Sequence, residues 1–145
     1  MSDSIIDFME ADFTGSEKFY RKSITKTEQQ KYLEKLLECK KNDRGYRGYK
    51  IADVGCGGGT LSYHLKTVFP GAEFYLYDYF DKAIEIAKEI NKDSNFNYSV
   101  DNIYNMNVED NYFDYIFCWQ TLIWLDKPSE VLSELIRIAK SGGKI

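Results

Sequence analysis

Apolar positions along the chain switch period at regular intervals. Tyr49-Lys50-Ile51-Ala52-Asp53-Val54 is a short, mostly apolar run that stops at Gly55 and reads as a strand. Beyond the glycines, Leu61, Leu65, Val68 and Phe69 return at helical spacing, and Pro70-Gly71 stops that helix. Glu73 to Tyr77 predicts a second strand, and Ala83, Ile84, Ala87 and Ile90 a second amphipathic helix. Phe96 to Val100 is a third strand. Phe113 to Trp119 is a fourth, apolar almost throughout, as a central strand covered on both faces should be. Val131, Leu132, Leu135, Ile136 and Ala139 mark a further helix. Ser141-Gly142-Gly143 ends it, and Lys144-Ile145 opens a fifth strand. Alternating strands and helices predict an open α/β domain with a mostly parallel sheet, right-handed crossovers and helices on both faces.

The first part of the chain is less regular. Residues 1–24 carry scattered apolar points, and Thr25 to Glu28 and Thr27 to Gln30 both fit a capping box for a helix running to about Lys40. Asn42 to Gly48 is turn-rich. The expected organisation is an N-terminal arm or lid with a capping helix over 1–48, and a ligand-binding core over 49–145.

Composition narrows the function. A chain of 145 residues suits one core. A net charge of −4 speaks against a nucleic-acid surface, and the one basic run, Lys40 to Lys50, reads as a solvated linker. The first residues are acidic with no apolar run behind them, and no stretch is long and apolar enough to span a bilayer. Cys39, Cys56 and Cys118 share no short spacing and read as reduced thiols of a cytoplasmic protein. With His64 the only histidine, metal sites and Ser/His/Asp triads have little to build on, and no metal is expected.

Asp53-Val54-Gly55-Cys56-Gly57-Gly58-Gly59 carries the chemistry. A strand ending in glycines and opening a helix offers free N–H groups, a partial positive charge and close backbone approach. The plain alternative is a tight turn with no ligand. A P-loop is excluded, because no lysine follows until Lys66. A dinucleotide fingerprint fits at Gly55 and Gly57 but meets Thr60 at its third glycine. Asp53 would repel a pyrophosphate and attract a ligand that carries cationic groups.

Ile51 to Gly59 resembles motif I of the class I, Rossmann-like S-adenosylmethionine-dependent methyltransferases. Leu76 to Phe80 with Ala83 to Ala87, Ser99 to Asn102, Tyr112 to Ile116, Asp126 to Pro128 and Leu135 to Lys144 resemble that family's later segments in order. The resemblance implies S-adenosyl-L-methionine as cofactor and S-adenosyl-L-homocysteine as product. It implies that the Gly55-Cys56-Gly57 backbone passes under the methionine part and that Asp53 holds its ammonium, directly or through water. Asp78 would accept both ribose hydroxyls, two carboxylate oxygens suiting a vicinal diol. The plain alternative for Asp78 is a helix cap, but Asp81 is better placed for that task, leaving Asp78 free. Tyr79 would pack on adenine, or is an ordinary half-buried aromatic. Asp101 would accept from the adenine amino group, with the Asn102 or Ile103 N–H on a ring nitrogen; turn chemistry is the alternative and is compatible. A Cys118 or Trp119 carbonyl at the end of strand four could also hold the ammonium. Cys56 reads as a small filler and His64 as a helix histidine without a catalytic role. Trp119, Gln120 and Trp124 lie where the acceptor is expected, or simply pack under the following loop, and Phe19 and Tyr20 are lid candidates.

No catalytic residue is named, since a sulfonium is already activated and the protein mainly aligns donor and acceptor. The expected acceptor is a small molecule; the Asp/Asn-Pro-Pro-aromatic signature of nucleic-acid amino-methyltransferases is absent after strand four. The family continues past strand five, whereas this sequence ends at Lys144-Ile145. The expectation is therefore a sheet lacking its C-terminal strands, through truncation or as a shortened fold patched by self-association at an uncovered edge. The alternatives are a cofactor-binding fragment without turnover and a nicotinamide-dependent oxidoreductase.

Overall fold

The computed structural model describes residues 46–145. The expected arm, its capping helix, Cys39, Phe19 and Tyr20 lie outside the described residues. Five strands form one sheet: β1 (Lys50–Val54), β2 (Glu73–Asp78), β3 (Phe96–Val100), β4 (Phe113–Phe117) and β5 (Ala139–Lys144). Their order is β3-β2-β1-β4-β5 and every pairing is parallel. The chain reverses direction across the sheet between β3 and β4, so β1 and β4 flank the switch point where open α/β sheets take ligands.

The helices cover both faces. On one, α1 (Thr60–Val68) and α2 (Asp81–Ile90) send Leu61, Leu65, Ile84 and Ala87 against Ile51, Phe74 and Leu76. On the other, α3 (Pro128–Ile138) places Val131, Leu135 and Ile138 over Ala52, Val54, Phe113 and Ile116. Burial of both sheet faces explains why β1 and β4 are nearly continuous apolar runs. Among the described residues, no helix is long and apolar enough to cross a membrane.

Four details differ from the sequence reading. First, the alternation fails between β3 and β4, where residues 101–112 form turns only. Ile103 and Met106 of that link are nevertheless buried, filling the place a helix would take on the α3 face. Second, β4 ends at Phe117, so Cys118 and Trp119 lie just beyond it. Third, Leu132 and Ile136 are 45% and 59% exposed, and the buried stripe of α3 is Val131, Leu135 and Ile138 instead.

Fourth, α3 stops at Ile138 and β5 already begins at Ala139, which takes an extended φ of −77° and ψ of 137°. The Asn111 and Tyr112 N–H groups capture the Arg137 and Ile138 carbonyls, ending the helix against the start of β4. Ser141-Gly142-Gly143 thus lies inside the strand. The β4–β5 register shifts between Phe113 and Tyr115, and a Cβ on Gly143 would lie 2.9 Å from the Lys140 carbonyl oxygen and 3.1 Å from that of Phe113. Glycine is what permits this irregular close approach.

Candidate cofactor site

The glycine loop is sealed to the end of β2. Gly55 and Cys56 both donate backbone N–H groups to the Tyr77 carbonyl, at 2.8 and 2.9 Å. Gly55, Gly57 and Gly59 have φ of 74°, 53° and 70°, left-handed conformations that L side chains rarely adopt. Gly59 is the N-cap of α1. At Gly55 a second constraint adds to the first: a Cβ would collide with Thr121 Oγ1 and lie 2.5 Å from its Cγ2. The turn after β4 is therefore pressed onto the loop, with Thr121 Oγ1 donating to the Trp119 carbonyl at 3.2 Å and, at 3.4 Å, more weakly to that of Gly55.

Asp53 is 1% exposed at the carboxyl end of β1. Its Oδ2 accepts the Ser62 hydroxyl at 2.8 Å from the first turn of α1. Burial pushes the carboxyl up to about 7; the Ser62 bond opposes this, and the negative charge of Asp78 adds to it. No cationic side chain among the described residues forms an ion pair with Asp53 or Asp78. The two carboxyls thus lie beside the glycine loop within electrostatic reach of one another.

Asp78 is not free, contrary to the sequence expectation. Its Oδ2 accepts the Gly57 N–H at 2.8 Å and its Oδ1 that of Phe80 at 3.0 Å. Asp81 does not relieve it: the N-cap of α2 is Phe80, with no side-chain cap, and Asp81 Oδ1 takes only the adjacent Lys82 N–H. Burial raises the Asp78 carboxyl, and the backbone bonds from Phe80, Gly57 and Tyr79 pull it back down. A carboxylate has about four acceptor positions, so capacity for hydroxyl donors remains.

At the end of β3 the Asp101 N–H joins the Asp78 carbonyl at 2.9 Å, bringing the two acidic turns side by side. The Asp101 carboxylate accepts from Asn102 N at 2.8 Å and Asn107 N at 3.0 Å. Asn102 Oδ1 takes the Tyr104 N–H. The turn chemistry is present, and the Asn102 N–H is already committed to it. That leaves the Ile103 N–H as the donor of the expected pair. Tyr79 is 40% exposed beside this turn, its ring edge-on to Phe80.

Cys56 is buried, its Sγ 3.5 Å from the Gly57 carbonyl oxygen, and burial holds its thiol well above the usual range. Cys118 is half-buried, with its thiol pushed up to about 11 by burial. Neither is set up as a thiolate nucleophile. His64 is buried on α1, edge-on to Tyr63. Trp124 is 51% exposed in the short 3-10 turn Leu122–Trp124.

Sequence reasoning missed Ser62 and Thr121. Ser62 carried a faint signal, a small polar residue among the apolar positions of α1. Thr121 carried none, because its contact with Gly55 crosses 66 residues of chain.

Strand order and a glycine loop beside acidic turns define an open α/β domain of the kind that takes a ligand at its switch point. Residues 52–145 match the family described as Methyltransferase domain, and the chain belongs to that family. It is a Rossmann-like domain of the S-adenosyl-L-methionine-dependent class, and the nicotinamide reading finds no support among its relatives. It is 37% identical over 98 residues to malonyl-[acyl-carrier protein] O-methyltransferase 1 of Ilyobacter polytropus, covering 67% of this chain and 36% of that protein. It is 30% identical over 117 residues to the ubiquinone biosynthesis O-methyltransferase of Coxiella burnetii, covering 79% of this chain and 46% of that one. The chain thus spans less than half the length of these relatives. A Methanococcus maripaludis protein of known structure shares the fold, with a TM-score of 0.72 at 22% identity over 90% of this chain and 58% of that one.

Proposed function

We propose that this domain transfers a methyl group from S-adenosyl-L-methionine to a small-molecule acceptor. The supporting observation is the buried Asp53 carboxylate beside Asp78, with no cationic partner among the described residues, at the mouth of a glycine loop. Asp53 would hold the methionine ammonium, with the Cys118 carbonyl nearby, and Gly55 to Gly57 would pass under the methionine chain. Asp78 would accept the ribose hydroxyls on its remaining lone pairs. Asp101 and the Ile103 N–H would take the adenine edge, with Tyr79 against its face.

The cofactor supplies a sulfonium-activated methyl group, so the chain's contribution is alignment and exclusion of water. Two relatives are described as O-methyltransferases, which supports an oxygen nucleophile. A cytoplasmic site of action is consistent with the free thiols Cys56 and Cys118. Pairing between copies through the outer strand β5 belongs to the same proposal, and sedimentation of the purified chain tests it.

The deciding experiment is calorimetric titration with S-adenosylhomocysteine and with NAD. The expected result is saturable binding of the first and none of the second. Tighter binding of NAD would overturn the reading.

A further inference from the structure

We propose that Arg137, paired with Glu134, is a positioning residue for the adenine end of the cofactor site, acting through Met106 and Asn107 on the Asp101 carboxylate. This rests on the reading of the Asp101 turn as the adenine edge.

Residues 101–112 link β3 to β4 without a helix or strand of their own. Hydrogen bonds within the link set its local turns, and contacts from outside it fix where those turns sit on the domain. Arg137 on α3 supplies such contacts. Its Nε and Nη2 donate to the two Glu134 carboxylate oxygens at 2.8 and 2.6 Å. Its Nη1 donates to the Val108 carbonyl at 2.8 Å and to Asp110 Oδ1 at 2.7 Å. Its Nη2 also donates to the Met106 carbonyl at 3.0 Å. All five guanidinium N–H groups are engaged, a fixed fork that lysine cannot reproduce. Glu134 completes the grip by accepting the Met106 N–H at 2.7 Å. Both polar backbone atoms of Met106 are thereby held by one ion pair, while its side chain is buried in the core.

The next residue carries the effect to the site. Asn107 donates its N–H to Asp101 Oδ2 at 3.0 Å, and Asn102 donates to Oδ1. The Asp101 carboxylate is thus oriented from one side by its own turn and from the other by a backbone that α3 clamps. A staple serving only stability would anchor the link anywhere. This one anchors it immediately beside the residue that aims Asp101.

The test compares dissociation constants of the 145-residue chain for S-adenosylhomocysteine and its purine-riboside analogue, in which hydrogen replaces the exocyclic amino group and the ring nitrogens remain acceptors. The wild-type chain is expected to prefer the adenosyl ligand by about tenfold or more, the worth of one hydrogen bond to a charged acceptor. Asp101→Ala and Arg137→Ala should each bring the ratio close to unity. Arg137→Lys, which keeps the charge and lowers the risk of misfolding, should lose most of it. Asp110→Ala removes only an exposed acceptor and should keep it. A staple serving only stability lowers Tm without moving the ratio. The proposal is overturned if Asp101→Ala loses the preference while Arg137→Lys and Arg137→Ala retain it. If Asp101→Ala itself retains the preference, the adenine reading fails and the proposal falls with it.

Discussion

The Gly57 amide and the Asp78 carboxylate meet at 2.8 Å, joining the glycine loop of β1 to the acidic end of β2 before any ligand is considered. One side chain therefore has two tasks, closing the loop and, in the proposed function, receiving ribose. Asp78→Ala should weaken S-adenosylhomocysteine binding by at least about tenfold. Asp78→Asn keeps an acceptor for the Gly57 N–H and should preserve Tm better than Asp78→Ala while still losing affinity. Unchanged affinity in the alanine variant, read by calorimetry, would refute the ribose role.

Binding should depend on pH through Asp53. Its carboxyl titrates near 7 in the folded chain, raised from 3.8. An ammonium is attracted to the ionised form, so affinity for S-adenosylhomocysteine should rise as pH increases through about 7 and then level off. Below that point binding should release a proton, visible as a dependence of the calorimetric enthalpy on the buffer's ionisation enthalpy. Stability runs the other way. A raised acid pKa means that the folded state holds the extra proton between 3.8 and about 7. The stabilisation is full below 3.8 and is lost as pH rises through about 7. Asp53→Asn should flatten this dependence of Tm and abolish the pH dependence of binding.

Ser62 should tune the same titration. Its hydroxyl is the main interaction favouring the charged form of Asp53. Ser62→Ala is expected to move the midpoint of the binding profile to higher pH. It should also cost about 1–3 kcal/mol of stability above that midpoint, where the buried carboxylate loses its donor. An unmoved midpoint would show that Ser62 does not govern Asp53.

Gly55→Ala should destabilise the chain by about 1–3 kcal/mol, through a left-handed φ and overlap with Thr121. Adding Thr121→Ala removes Oγ1 and Cγ2 and should recover part of the loss in thermal denaturation. A fully additive double variant would show that the two residues are not in contact.

The sequence alone determined where strands and helices lie to within their ends, a mostly parallel α/β class, and the acidic residues at the ends of β1, β2 and β3. Those follow from local period and from glycines whose role is set by the backbone they sit in. Tertiary structure decided what those residues do to one another. Asp78 looked free because its bond to Gly57 forms only when β1 and β2 pair, whereas its bond to Phe80 is a local turn two residues on. The fifth strand began earlier than its glycines suggested because the Asn111 and Tyr112 amides, distant in sequence, end α3. Ser62, Thr121 and Arg137 left little trace in the sequence, since each acts by bridging segments that only the folded sheet brings within hydrogen-bond reach.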